Sequence, residues 1–156
     1  MKRPYSSGFT LIELLVVIGI LAVLLAITLI AINPARQFAQ SNNTKRSSDV
    51  NAILNAMNQY MVDHKGSLSG LGVTLDSTAQ TIASTTFNTF CSQLVPLYIA
   101  ALPVDPLTNN GTAVTSTDCT STTGWTTGYT IKQSASNRLT VAAPAAELGA
   151  TIPVTR

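Results

Sequence analysis

One carboxylate stands inside an otherwise apolar run. From Phe9 to Ile32 there are 24 residues, interrupted only by Thr10, Glu13, Gly19 and Thr28. A carboxylate within a membrane helix costs on the order of 2.5 to 3.5 kcal/mol by insertion scales, so Glu13 calls for a partner. Elsewhere, residues able to do chemistry are few. Cys91 and Cys119 lie too far apart for a C-x-x-C redox or zinc half-site. In an exported region they read as a disulfide, whose loop would stabilise the fold by roughly 3 to 4 kcal/mol; two buried thiols are the alternative. The single histidine, His64, stands at a predicted helix end, and any Ser-His-Asp or Cys-His constellation would have to be built around it. The sequence holds no glycine-rich phosphate loop, no metal-spaced Cys/His set and no paired-carboxylate motif. It reads as a chain without enzymatic activity or cofactor.

The elements that must position Glu13 follow from the pattern. As a helix at ~1.5 Å per residue, the segment 9–32 would extend about 36 Å, enough to cross a ~30 Å hydrocarbon layer with some tilt. A secretory signal has an apolar region of roughly 7 to 15 residues followed by a small-x-small site; this run is longer and no such site follows it. Asn33-Pro34 predicts a kink, because proline removes a backbone hydrogen bond, with the helix resuming at once. Val50, Ile53, Leu54, Met57, Tyr60 and Met61 then recur at spacings of three and four, the stripe of a helix with one buried face. Lys65-Gly66 reads as its stop.

From Ser67 onward the chain is rich in Ser, Thr, Gly and Asn. Prolines break up 94–106. Residues 129–133 and 138–142 alternate as two strands of a hairpin joined through Ser134 to Asn137. Trp125 reads as a core or subunit-contact residue. The expected class is α+β: a long N-terminal helix, half in the membrane and half amphipathic, packed on a small antiparallel sheet. The expected divisions are 1–8, a leader; 9–32, a transmembrane helix; 33–66, its amphipathic continuation; and 67–156, a β-rich head.

Charge narrows the partners. The formal net charge is +2, and Lys2 and Arg3 account for all of it. From Phe9 onward, seven basic residues stand against seven acidic ones. Nucleic-acid binding rests on clustered Lys and Arg that neutralise phosphates, and the nearest approach here is the Lys45-Arg46 pair. No direct nucleic-acid contact is expected.

The string from Gly8 to Ile18, GFTLIELLVVI, resembles the N-terminal signature of type IV prepilins and type II secretion pseudopilins. The resemblance implies that a prepilin peptidase cuts after Gly8, that Phe9 becomes the N-methylated terminus, and that Glu13 acts in assembly. Residues 9 and 13 share a helix face, so the new amine can meet Glu13 of its own chain or of a neighbour. An amine at a helix N-terminus opposes the macrodipole, which a neighbour's carboxylate would relieve. The helix-disturbing proline of many members falls where this chain has Ile30. Leu102-Pro103-Val104-Asp105-Pro106 is similar to the Pro-x-Asp-Pro element of major pseudopilins and of several bacterial pilins; the major pseudopilins bind calcium in the loop that follows. Asp105 and Asp118 are the corresponding candidates, a thin set against the six to eight oxygens calcium takes; turn-capping aspartates are the alternative.

The function implied is a structural one: a single-pass precursor in the inner membrane that polymerises through its N-terminal helix into a periplasmic or cell-surface homo-oligomeric filament. Its partners would be the peptidase, the membrane, an assembly platform protein and a separate ATPase. The alternatives are the major pseudopilin of a type II secretion system and, in another class, a monomeric membrane-anchored adhesin or binding module.

Overall fold

The computed structural model describes residues 8–121 and 124–156. The expected leader therefore lies, but for Gly8, outside the described residues. The chain divides into two compact units, one ending at Phe38 and the other running from Ala39 to Arg156.

In the first unit, α1 spans Leu11–Ile32, and none of its residues is buried. Its length and composition suffice to cross a membrane. A helix apolar on every side has no stable aqueous exposure and requires lipid or other helices around it. Asn33 ends it in the left-handed conformation, φ 46° and ψ 78°, one of the few non-glycine side chains that tolerate that region. The same residue starts the next helix: its Oδ1 accepts from the Arg36 N–H at 3.3 Å. Pro34, fixed near helical φ and lacking an N–H, is well suited to the first position of α2, Pro34–Asp63. The break predicted at Asn33-Pro34 is thus a C-cap and an N-cap sharing one asparagine.

In the second unit, α2 buries Val50, Ile53, Leu54, Ala56, Met57 and Tyr60, and Met61 packs beside them. Lys65 and Gly66 both take positive φ, and the Gly66 N–H returns to the Met61 carbonyl at 2.7 Å. That closes the helix where Lys65-Gly66 was expected to stop it. The same core takes in Tyr129, Ile131, Leu139 and Val141 from a four-stranded antiparallel sheet of order β1-β2-β3-β4. Its strands are β1 Gln80–Ala83, β2 Thr126–Gln133, β3 Leu139–Ala142 and β4 Pro153–Thr155. The expected hairpin is present as β2 and β3, with Gln133 opposite Leu139 and Thr130 opposite Ala142. Burial alternates along β2, Thr127, Tyr129 and Ile131 facing inward, as a half-covered sheet requires. Trp125 is buried in the same core.

Two helices complete this unit. Along α3, Ser84–Leu94, the residues Phe87, Phe90, Cys91 and Leu94 face the core. Thr115 and Asp118 start α4, Ser116–Thr120, with a reciprocal capping box. Cys91 and Cys119 are bridged with a Cα separation of 5.3 Å, which joins α3 to α4. Removing this constraint by a Cys91→Ser/Cys119→Ser double substitution is expected to lower the unfolding free energy by roughly 3 to 4 kcal/mol. Chemical denaturation of the detergent-solubilised chain measures it, and an unchanged midpoint would contradict it.

Candidate functional site

Phe9 and Glu13, with Ile12, Val16 and Val17, line one shallow groove at the start of α1. The backbone at Thr10 is extended, φ −80° and ψ 153°, and its hydroxyl accepts from the Glu13 N–H at 3.3 Å. In return, Glu13 Oε2 accepts from both the N–H and the hydroxyl of Thr10, each at 2.8 Å. This reciprocal pair satisfies two of the donors that every helix N-terminus leaves open. The sequence reading left Glu13 without a partner in the uncut chain; the structure gives it two donors on Thr10. The signal was present as Thr10-x-x-Glu13, the threonine-to-glutamate spacing of a capping box. Hydrogen bonds orient the carboxylate without cancelling its charge. A cut after Gly8 would place an amine at Phe9, one residue before the cap.

In the second unit the sequence reading missed a polar cluster. Ala39, Asn42, Asn43 and Arg46 continue the α2 stripe at i, i+3, i+4 and i+7. Ala39 and Arg46 are buried, and the asparagines are half-buried. Arg46 is fully enclosed. Its Nε and Nη2 donate to the two oxygens of Asp105 at 2.6 and 3.1 Å, and its Nη1 donates to Glu147 Oε2 at 2.7 Å. Asn42 Nδ2 reaches the same Glu147 oxygen at 2.9 Å. Asn43 exchanges two bonds with the Glu147 backbone, its Nδ2 donating to the carbonyl at 2.8 Å and its Oδ1 accepting the N–H at 2.9 Å. A guanidinium taken out of water needs this many acceptors to offset desolvation.

This cluster explains the Pro-x-Asp-Pro element. Asp105 is buried; its N–H donates to the Thr127 carbonyl at 2.8 Å, and its Oδ1 also accepts from the Leu107 N–H at 2.9 Å. The element lies so close to β2 that a Cβ on Gly128, itself at φ +76°, would stand 3.0 Å from the Asp105 Cβ. Asp118 is engaged separately, accepting from the Thr115 hydroxyl and N–H at 2.7 and 2.8 Å. The two aspartates considered for calcium thus belong to different networks, and among the described residues no group of three His, Cys, Asp or Glu side chains is placed to hold a metal ion. His64 stacks on Tyr60 at 3.9 Å between ring centroids, and its Nδ1 lies 2.9 Å from the Tyr60 carbonyl.

Comparison with known families bears on the first site. The model of the prokaryotic N-terminal methylation motif matches residues 3–29. The chain carries a prepilin signature, that of the type IV pilin and pseudopilin class. No curated protein and no solved structure matches the chain. The signature ends within α1, so the role of residues 39–156 is read from their own side chains.

Burial pushes Asp105 upward, but the hydrogen bonds from Arg46 and the Leu107 N–H outweigh it and hold the carboxyl below its ordinary range. Glu147 is likewise held low, first by Arg46 and then by Asn42. Both therefore bind protons more readily in the unfolded chain, so their stabilisation is complete above the ordinary carboxylate range of about pH 4 and is lost as pH falls below it. Arg46→Ala, which strands the buried Asp105 charge, is expected to cost about 3 to 5 kcal/mol. Arg46→Met combined with Asp105→Leu should recover much of that loss and flatten the acid limb of the stability profile. Urea denaturation at pH 7 and at about pH 3, below the ordinary carboxylate range, measures both effects; an Arg46→Ala variant as stable as the parent would contradict the account.

Proposed function

We propose that this chain is the structural subunit of a type IV pilus-like filament, cut after Gly8 by a prepilin peptidase, methylated on Phe9 and polymerised through α1. The supporting observation is a methylation motif that leads without interruption into an apolar helix whose single carboxylate, Glu13, is held at its first turn. Residues 1–8 act as the leader, 9–32 as the membrane and assembly helix, 33–66 as its amphipathic continuation, and 67–156 as the head. The precursor resides in the inner membrane, and the polymer extends into the periplasm or beyond the cell surface. A platform protein and an ATPase drive assembly, the chain itself being the building block.

Glu13 has two successive roles in this reading. Before cleavage it completes the cap on Thr10. After cleavage its charge faces the Phe9 amine of its own chain or of an incoming one, in an environment where an ion pair is poorly screened. A monomeric anchor would be served equally well by a neutral residue at this position, since the membrane penalty of a carboxylate brings it no benefit. Within the class, the internal bonding of Asp105 and Asp118 favours a pilus subunit over a calcium-dependent major pseudopilin.

Glu13→Ala is expected to leave membrane insertion and cleavage intact and to reduce sheared filaments at least tenfold, the factor that corresponds to about 1.4 kcal/mol. Thr10→Val, which removes the hydroxyl half of the cap, should have a smaller effect in the same direction. Electron microscopy and quantification of the sheared fraction provide the readout. Filaments from Glu13→Ala at the parental yield would refute the charge-pairing role.

A further inference from the structure

Phe38 is 71% exposed, and no other large apolar side chain between Ile32 and Val62 is left in the open. It is the last residue of the first unit and stands on the opening turns of α2. A large ring gains by leaving water, and nothing in the chain covers this one. The backbone just before it says where a cover lies. Pro34 has no N–H for the Ile30 carbonyl. The Arg36 N–H, which a continuous helix would return to Ile32, goes instead to the Asn33 carbonyl and Oδ1 at 3.1 and 3.3 Å. Carbonyls opened in this way are costly in hydrocarbon and are met by water or headgroups, so the break at Asn33 marks a membrane boundary. The 22 residues of Leu11–Ile32 agree, extending about 33 Å, the depth of one hydrocarbon layer with little to spare.

The headgroup layer beyond that boundary is roughly 5 to 8 Å deep. Phe38 follows Asn33 by five residues, so at any angle of α2 its Cα stands no more than about 10 Å past the break. Helical side chains lean toward the N-terminus of their own helix, which turns the Phe38 ring and the Arg36 stem back toward Pro34 and the membrane. Arg36 is exposed and has no ion-pair partner among the described residues. The next cations along α2 are engaged, Lys45 by Asp49 at 3.8 Å and Arg46 by Asp105 and Glu147. An aromatic ring and an unpaired guanidinium at the end of a span suit a lipid surface, the ring at the acyl boundary and the cation on phosphate.

We infer that Arg36 and Phe38 form a lipid anchor beyond the C-terminal end of α1. The guanidinium binds the phosphate of an anionic phospholipid, and the ring seats at the boundary between headgroups and acyl chains. The inference rests on the reading of 9–32 as a membrane span and adds a fixed depth to it. With the break at Asn33 held at one face of the hydrocarbon layer, the length of α1 brings Leu11 to the other face. The Gly8–Phe9 bond then stands just outside the hydrocarbon, and Glu13 just within it.

The test uses the full uncut chain in vesicles of equal parts phosphatidylglycerol and phosphatidylcholine. Phe38→Trp and Ile20→Trp are each combined with Trp125→Phe, which removes an indole whose N–H has no hydrogen-bond partner. Lipids brominated near the headgroup or near the chain ends then report depth by quenching. The indole at position 38 should be quenched mainly by the shallow bromines, and the indole at position 20 mainly by the deep ones. Quenching at 20 with none at 38 would overturn the anchor and leave the span standing. An indole at 38 shielded until the chain is diluted in lipid would assign its cover to a second copy and equally overturn the anchor. If the indole at 20 escapes both lipids, the membrane reading itself fails and takes the anchor with it. In a second arm, Arg36→Gln should lower the preference of the chain for spin-labelled phosphatidylglycerol over phosphatidylcholine about fivefold, the factor that about 1 kcal/mol per cation at an anionic surface represents. Arg36→Lys should keep most of that preference. A preference unchanged in Arg36→Gln would overturn the phosphate contact.

Discussion

A helix that is apolar around its whole circumference cannot find burial within its own chain, and α1 is such a helix. Lipid or other helices can cover it. Yet lipid gives no partner to a carboxylate, and Glu13 lies in the first turn of this helix. The constraint is a charge that the membrane tolerates poorly on a surface that the membrane otherwise suits. Thr10 answers part of it by donating two hydrogen bonds, which orient Glu13 without neutralising it. Full neutralisation requires a cation, and the proposed cut after Gly8 creates one beside the cap.

The second unit solves the opposite problem. Its α2 stripe is apolar from Val50 onward, but the turns before that carry Asn42, Asn43 and Arg46 on the same face. A guanidinium enclosed there would be destabilising alone. Asp105 and Glu147, from segments 59 and 101 residues away, surround it. Core packing holds the sheet to one half of α2, and this polar network holds two surface segments to the other half. The ordering of the head thus depends on hydrogen-bond geometry where the membrane segment depends on apolar area.

Much of this was legible in the sequence. The apolar run, the break at Asn33-Pro34, the stripe from Val50 to Met61, the stop at Gly66 and the β2-β3 hairpin each have a local signal, and each is present in the structure. The capping box at Thr10 and Glu13 had a signal too, but intramembrane cost drew attention to the charge and away from its spacing. The α3 helix carried Phe87, Phe90, Cys91 and Leu94 at helical spacing within a Ser/Thr-rich stretch that was expected to be part of a β-rich head. The short strands β1 and β4 offer three or four residues each, too few for alternation to register. The Arg46 cluster was beyond local reading, because nothing near Arg46 in sequence announces Asp105 or Glu147. A polar residue on the buried face of a helix was the one available hint, and charge counting took Arg46 only as half of a basic pair with Lys45.

The central claim is that one short segment provides both processing and assembly. The intact mass of the subunit in sheared filaments tests it most directly. The account predicts a single species that begins at Phe9, carries one added methyl group, and is absent from filaments as the uncut chain. A filament subunit that retains Met1 to Gly8 would contradict it.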